Sequence, residues 1–378
     1  MITSSILFTP FQMKGLSLKN RIAMTPFFTG YSNKDGAVSP LTLEHYKKMA
    51  ASGVAMVVVE NAAIDLSGSD SPFKLRVDHD QYIPGLTRLA ESIHNEGAYA
   101  FLQINHAGRY AYGPDRLAPS SVKTGNIFPR EMTIQEIERT VVAYAEGAKR
   151  VKEAGFDGVE IHGATGYLIV QFLSSRTNHR RDTYGGSFEN QMRFPLQVVD
   201  TVLATVGQNY PVGYRFLADE ELPDGLHPEQ TALLARELQK RRIAYLSVVG
   251  GTYDSFSLPE NIEKQKQEGF MAHYADLIKK AVPETPIITA GRIQTTETAK
   301  RILEQGMADL IGLGRVLFAD PLWPKKVMGI VADPIVKCEP SCSFCRSQRI
   351  VKGKPALCSQ WDKMDRKAFL SMIGETEE

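Results

Sequence analysis

All four cysteines of this 378-residue chain lie in one short segment near its C-terminus, CEPSCSFCRSQRIVKGKPALC. Cys338, Cys342 and Cys345 have the spacing CxxxCxxC, and Cys358 follows after twelve more residues. Clustered thiolates are typical ligands of zinc and of iron–sulfur clusters, whereas disulfides are disfavoured in the cytoplasm. The segment therefore predicts a metal site.

Three kinds of metal site compete for these cysteines. A radical SAM cluster uses three cysteines and leaves one iron open, but its motif normally follows the first strand of a barrel, and Cys358 would cap the open iron. Structural zinc accepts four thiolates equally well. A [4Fe–4S] cluster with all four cysteines as ligands is the third candidate.

Glycine and arginine recur together at two other places, AGR at 290–292 and LGR at 313–315. Glycine lets backbone N–H groups approach an anion, and arginine adds positive charge. One such triplet is weak support, because a glycine after a strand is usually a turn. Two triplets after the last two strands of a barrel favour a phosphate site.

Two polar side chains, Gln103 and Arg215, end strands that are otherwise apolar. They fit a polar layer whose hydrogen bonds are satisfied inside the protein. They fit equally a ring-shaped cofactor that is held at its carbonyl and nitrogen edge.

Eight short apolar runs carry or precede these residues, and amphipathic segments such as 134–155 and 228–241 alternate with them. Strands that are apolar on both faces and alternate with helices predict a parallel sheet covered by helices, here an α/β fold of the (β/α)8 TIM-barrel type. The doubly wound alternative needs a glycine-rich first turn, which we do not find. The eight runs are 21–26, 54–60, 98–104, 157–161, 211–217, 244–249, 286–289 and 308–314.

The sequence divides into a barrel over residues 1–320 and a cysteine-bearing extension over 321–378. The opening FTPFQMKGLSLKN predicts a hairpin that plugs the bottom of the barrel. A net charge of +1 gives no reason to expect nucleic acid or a membrane as partner. No apolar stretch approaches the ~18 residues of a membrane span, and no signal peptide is visible, so we expect a cytoplasmic protein.

The segment from Gly155 to Phe194, GFDGVEIHGATGYLIVQFLSSRTNHRRDTYGGSFENQMRF, resembles the old yellow enzyme family of FMN-dependent barrels. KNRIAMTP, LQINHAGR, LAPSS, PDGL and the two glycine–arginine triplets extend the resemblance from about Leu7 to Asp320. It implies Tyr167 as proton donor and His162 as a ligand of the substrate's carbonyl. It also implies flavin contacts from Thr25, Pro26, Phe27, Phe28, Asn61, Gln103 and Arg215, and phosphate contacts from Gly291, Arg292, Gly314 and Arg315.

The sequence departs from the family pattern at two of these positions. Thr165 stands where relatives carry a second carbonyl ligand, His or Asn, and it is shorter and a less directed donor. Phe28 stands where relatives often carry Cys or Thr near the flavin, and it cannot donate a hydrogen bond. We therefore expect a lower flavin potential or a site adapted to another substrate.

The cysteine segment resembles the iron–sulfur branch of this family, which includes 2,4-dienoyl-CoA reductase, 2-enoate reductase and trimethylamine dehydrogenase. The resemblance implies a [4Fe–4S] cluster on all four cysteines, although the first gap of three residues is one longer than in trimethylamine dehydrogenase. SRTNHRRDTYGG (175–186) is closer to the reductases, but its basic residues fit a solvated loop as well.

The resemblance implies an ene-reductase that transfers a hydride to an unsaturated carbonyl, enoate or thioester. Electrons would come from NAD(P)H or, because the sequence ends before an FAD domain, from a separate ferredoxin, flavodoxin or flavin reductase. The alternatives are an amine or N-methyl dehydrogenase and a non-catalytic electron-transfer subunit. Barrel helices can also be covered by a second subunit, so the pattern is compatible with an oligomer.

Overall fold

The computed structural model describes residues 5–340, 342–350 and 352–375. Eight of its strands are parallel and form a closed barrel, and each predicted run overlaps one of them. The predicted fold class is therefore confirmed. The strands are β1 (Phe11–Met13), β2 (Leu16–Leu18), β3 (Ile22–Met24), β4 (Met56–Ala63), β5 (Tyr99–Asn105), β6 (Leu117–Ala118), β7 (Arg130–Glu131), β8 (Gly158–Gly163), β9 (Val212–Asp219), β10 (Tyr245–Gly250), β11 (Ile287–Thr289) and β12 (Leu310–Leu313).

The order around the barrel is β3, β4, β5, β8, β9, β10, β11 and β12, and β12 pairs with β3 to close it. Strands β1 and β2 form an antiparallel hairpin ahead of the barrel. Strands β6 and β7 form a two-stranded sheet in the long connection between β5 and β8. This connection lies at the carboxyl ends of the strands, where barrels place their sites.

Helices follow most barrel strands, as the amphipathic segments predict. The predicted helices at 134–155 and 228–241 are the third and sixth. The helices are α1 (Pro40–Ala50), α2 (Ile83–His94), α3 (Ile134–Glu153), α4 (Leu168–Leu173), α5 (Phe188–Val206), α6 (Pro228–Lys240), α7 (Pro259–Lys264), α8 (Ala272–Ala281), α9 (Thr296–Glu304), α10 (Arg315–Ala319), α11 (Trp323–Val327), α12 (Phe344–Ile350) and α13 (Lys363–Met372).

The longest helix, α3, starts at a capping box. Thr133 accepts a hydrogen bond from the backbone N–H of Glu136, and the Glu136 carboxylate accepts one from the backbone N–H of Thr133. Such a pair satisfies two of the N–H groups that a helix start leaves without partners. The cap explains why the apolar period of this segment begins where it does.

The barrel interior is filled beneath the mouth. Met13 and Leu18 of the hairpin pack with fully buried Phe101 and Tyr245, whose rings meet edge to face at 5.8 Å. The predicted plug is therefore present. A larger core lies between the strands and the surrounding helices.

The extension packs against the mouth of the barrel through its own apolar cluster, which includes Phe318, Leu357 and Phe369. The Trp361 indole donates to the carbonyl of Phe318 across 2.7 Å, and the Tyr31 hydroxyl donates to that of Ala356 across 2.6 Å. The extension thus forms part of the wall beside the site. Among the described residues, none of the helices has the length and apolar character that a membrane span requires.

Candidate active site

A cavity of about 390 Å³ opens at the carboxyl ends of the barrel strands. Every residue that the sequence implied for catalysis or for cofactor contact lines it, and two of the four cysteines do so as well. The predicted residues at the cavity are Thr25, Pro26, Phe27, Phe28, Asn61, Gln103, His162, Thr165, Tyr167, Arg215, Gly291, Arg292, Gly314, Arg315, Cys338 and Cys345.

The end of the cavity beyond β11 and β12 is shaped by glycine. Gly291 has φ +100°, and a Cβ there would lie 3.0 Å from the backbone nitrogen of Met271. A Cβ on Gly314 would lie 3.2 Å from the Thr25 hydroxyl. Arg292 and Arg315 bring two positive charges to this end, and burial lowers the pKa of Arg292. An open, cationic cradle of this kind fits a phosphate.

Gln103 and Arg215 belong to a polar layer and also face the cavity. Gln103 donates to Glu160 across 2.7 Å, and Arg215 donates to Ser247 across 2.6 Å. Burial raises the pKa of the Glu160 carboxyl and lowers that of Arg215, while attraction between the two opposes both shifts. The layer therefore holds an amide and a guanidinium in place beneath any planar ligand in the cavity.

His162 lies one residue before the end of β8 and is buried, with no hydrogen-bond partner at Nδ1 in the described part of the chain. Burial lowers its pKa well below 6.5, and the positive charges of Arg215 and Lys74 add to the effect. The imidazole is therefore neutral at physiological pH, with one N–H to offer a ligand.

Thr165 lines the same wall from an unusual backbone conformation. Its φ of +63° is in the left-handed region, which β-branched residues rarely adopt. A bridge to Thr252 in the loop after β10 supports this turn. Left-handed residues of this kind cost of order 1–3 kcal/mol and concentrate at functional sites.

Tyr167 lies just before α4, with its ring centroid 4.9 Å from that of His162. Its hydroxyl donates to Asp70 across 2.6 Å and contacts the Tyr253 hydroxyl at 2.8 Å. Burial raises its pKa well above 10, and the negative charge of Asp70 adds to the shift. The phenol therefore keeps its proton inside the cavity at any physiological pH.

Sequence reasoning missed five residues at the site, Asp70, Lys74, Tyr253, Arg346 and Arg349. Tyr253 follows β10, so its place at a strand end was the one available signal. Asp70 and Lys74 lie in the loop after β4 and form an ion pair at a spacing of four residues. That spacing alone does not indicate a position at the site. The two arginines come from α12 in the cysteine segment.

Phe28 is held between two of these missed cations. Lys74 Nζ lies 3.7 Å from the centre of its ring, and the Arg349 guanidinium lies at 5.4 Å. Cation–π contacts of buried lysine and arginine contribute roughly 0.5–2 kcal/mol each. Phe28 cannot donate a hydrogen bond, but its ring contacts the ammonium group of Lys74. Lys74 in turn donates to the Asn61 amide oxygen across 2.8 Å.

All four cysteines line a second, smaller cavity together with Arg315 and Phe318. Cys338 and Cys345 border both cavities. All four are free thiols, and burial raises the pKa of Cys358 to about 11. Within the described ranges, however, no group of His, Cys, Asp or Glu side chains is arranged to hold a metal ion. The metal site remains a prediction.

Comparison with known proteins identifies the family. The profile of the NADH:flavin oxidoreductase / NADH oxidase family matches residues 6–333. The chain belongs to this family. An NADH oxidase of Thermoanaerobacter brockii is 39% identical over 363 residues, covering 93% of this chain and 55% of the relative.

Solved structures agree with this assignment. The complex of 2-naphthoyl-CoA reductase with 2-naphthoyl-CoA superposes with a TM-score of 0.90 at 28% identity, over 96% of this chain and 57% of that one. The old yellow enzyme homologue of Zymomonas mobilis gives 0.75 at 28% identity, over 88% and 94%. The resemblance to old yellow enzymes is therefore confirmed. The chain spans 55% of the length of the first curated relatives that it matches.

Proposed function

We propose that this flavin oxidoreductase binds FMN in the 390 Å³ cavity and reduces an activated C=C bond. The observation that carries the proposal is that one cavity collects every residue implied for that chemistry. The glycine cradle with Arg292 and Arg315 fits the phosphate. Gln103 and Arg215 fit the polar edge of the ring. The residues present therefore suit the cofactor.

When bound, FMN supplies the hydride that reaches the β-carbon of an unsaturated carbonyl compound. Neutral His162 donates a hydrogen bond to the substrate's carbonyl oxygen, and Thr165 stands beside it with a hydroxyl. Tyr167 holds the proton that passes to the α-carbon. General acid catalysis of this kind contributes roughly 10²- to 10⁴-fold in rate.

The substrate class is an enone, an enoate or an acyl thioester. Support for a thioester comes from the superposition on a reductase in complex with 2-naphthoyl-CoA. Arg346 and Arg349 at the cavity wall favour a substrate with negative charge. Reducing equivalents come from NADH, the coenzyme in the family's name, or from NADPH, the coenzyme in the name of a related NADPH dehydrogenase of Halalkalibacterium halodurans.

The proposal extends to a [4Fe–4S] cluster held by Cys338, Cys342, Cys345 and Cys358. All four sulfurs border one cavity, and apolar side chains surround it. Two of the sulfurs take part in hydrogen bonds. The Cys342 sulfur and the Ser359 hydroxyl lie 3.1 Å apart, and the backbone N–H of Gln360 donates to the Cys358 sulfur across 3.4 Å. Such a cluster carries single electrons, so a ferredoxin, a flavodoxin or a flavin reductase is the alternative to NADH or NADPH as electron donor.

The test is anaerobic turnover with a simple enone and reduced viologen dye, using the protein with its bound cofactors. We expect wild-type protein to reduce the enone, and Tyr167→Phe to lose roughly 10²- to 10⁴-fold in the rate of enone reduction. Tyr112→Phe, on an exposed loop, is the matched control and keeps the wild-type rate. Wild-type protein that oxidises an amine and leaves every enone untouched would overturn the proposal.

A further inference from the structure

We propose that Asp70, held in place by Lys74, positions Tyr167 and returns a proton to it after each turnover. This inference rests on the proposed function, because it assigns a role in the protonation step at Tyr167. It concerns two residues of a loop that carries none of the implied catalytic groups.

The geometry begins with two short contacts to one carboxylate. The Tyr167 hydroxyl donates to Oδ2 of Asp70 across 2.6 Å. Lys74 Nζ lies 2.8 Å from Oδ1 of the same carboxylate. Because the Tyr167 hydroxyl donates its hydrogen bond to Asp70, the Tyr253 hydroxyl is the donor in the 2.8 Å contact between the two tyrosines. The Tyr167 oxygen is thereby held by two hydrogen-bond partners.

Lys74 is built into the site and is not a surface cation. Its side chain is 2% exposed, and it meets Asp70, the Asn61 amide oxygen at 2.8 Å and the face of Phe28 at 3.7 Å. A buried ammonium needs such partners, because leaving it unpaired costs several kcal/mol. Three partners in different directions leave Lys74 one position, and the ion pair then gives Asp70 one position.

The charges account for the return of the proton. When Tyr167 gives its proton to the α-carbon, an O–H bond breaks, a C–H bond forms and a phenolate remains beside the Asp70 carboxylate. Two anions at this distance favour the uptake of one shared proton. Asp70 is 15% exposed, so it takes that proton from water and passes it to the phenolate. Lys74 offsets the second negative charge in the interval, and one solvent proton is consumed per turnover.

The decisive variant is Asp70→Asn, which keeps the shape but removes the carboxylate. We expect oxidation of the reduced protein by an enone to slow by about 10- to 100-fold, which is less than the roughly 10²- to 10⁴-fold of a general acid itself because Tyr167 is still present. Oxidation by ferricyanide takes electrons without protonating carbon, so it keeps the wild-type rate. The solvent deuterium isotope effect on enone reduction increases, because protonation becomes rate-limiting.

Asp65→Asn is the matched control, since this loop carboxylate bonds to Ser67 and not to Tyr167. It keeps the wild-type rate with both oxidants. Asp70→Ala is the second variant, and formate added to it restores part of the enone rate by supplying the missing carboxylate.

The inference is overturned if Asp70→Asn reduces the enone at the wild-type rate, or if its oxidation by the enone and by ferricyanide slows equally. It is also overturned if formate restores none of the enone rate in Asp70→Ala. A wild-type protein that fails with every enone refutes the proposed function instead.

Discussion

Arg292 donates a hydrogen bond to the backbone carbonyl of Cys338 across 2.5 Å and a second to that of Pro340 across 3.3 Å. A third goes to Gln265 across 2.9 Å. The side chain at the phosphate end of the cavity thus also ties down the first cysteine of the extension. The cofactor contact proposed for Arg292 and the placement of Cys338 therefore involve the same guanidinium.

Arg292→Ala should therefore lower two quantities together, the bound FMN and the iron per chain. The loss of the positive charge weakens phosphate binding. The loss of the three hydrogen-bond donors releases the backbone carbonyl of Cys338, which Arg292 holds in place. The measurement is the flavin absorbance and iron content of anaerobically purified protein. Arg301→Ala, at an exposed position of α9, is the control and should retain both. A variant that loses flavin at unchanged iron content would separate the two roles.

Gly291→Ala should destabilise the protein and reduce flavin content. The substitution meets a left-handed φ of +100° and a Cβ contact of 3.0 Å with the backbone of Met271. Gly186→Ala has a φ of +84° and open space at the Cβ, so it shows the cost of φ alone. We expect about 1 kcal/mol from φ and a larger total at Gly291. Urea unfolding of both variants checks this, and equal losses would count against the cradle.

Cys358→Ser should reduce the iron and sulfide content of anaerobically purified protein and leave FMN bound. Cys358 is buried in the small cavity, whereas the flavin cavity is bordered by Cys338 and Cys345. Elemental analysis for iron, sulfide and zinc is the measurement. One zinc and no iron in the wild-type protein would show that the four cysteines hold structural zinc, which four thiolates also bind, and no iron–sulfur cluster.

His45→Phe should reduce the sensitivity of the protein to acid. His45 is buried in α1, with Tyr31, Tyr46 and Phe318 around its ring. Its Nε2 has no hydrogen-bond partner among the residues that the structure describes. Burial, with a smaller effect from Lys48, lowers its pKa to about 3.

The sign follows from the two states of the chain. Below the ordinary pKa of 6.5 the unfolded chain binds a proton that folded His45 does not, so stability falls as pH falls from 6.5 toward 3. The loss at pH 5 is about 2 kcal/mol for this one group. The difference in unfolding free energy between His45→Phe and wild type, measured in urea at pH 7 and pH 5, should change by that amount in favour of the variant. A constant difference would refute it.

Much of the barrel was predictable, because each of its eight strands is a short apolar run between helical patterns. The rule that barrel sites lie at the carboxyl ends of the strands led to the right cavity, and Gln103, His162 and Arg215 line it. Gln103 and Arg215 do not end their strands, however, because β5 continues to Asn105 and β9 to Asp219. Here a local pattern and a simple topology determine position.

Asp70 and Lys74 were not predictable in this way. The loop after β4 returns to its own strand, since Ala63 donates to Leu75 across 2.7 Å and Val77 donates to Ala63 across 2.9 Å. These backbone bonds bring the loop over the mouth, and no periodicity in the sequence records such a return. The same holds for Arg349, whose place depends on how the extension packs on Phe27, with 4.9 Å from its guanidinium to that ring.

The hairpin of Met13 and Leu18 closes the lower end of the barrel, and the packed rings of Phe101 and Tyr245 fill the space above it. The cavity is therefore closed at its lower end, and it opens at the carboxyl ends of the strands. Under the proposed function, the coenzyme and the oxidant would bind through that same entrance, and each would dissociate before the other binds. Steady-state kinetics with varied concentrations of both should accordingly give the parallel lines of a double-displacement cycle.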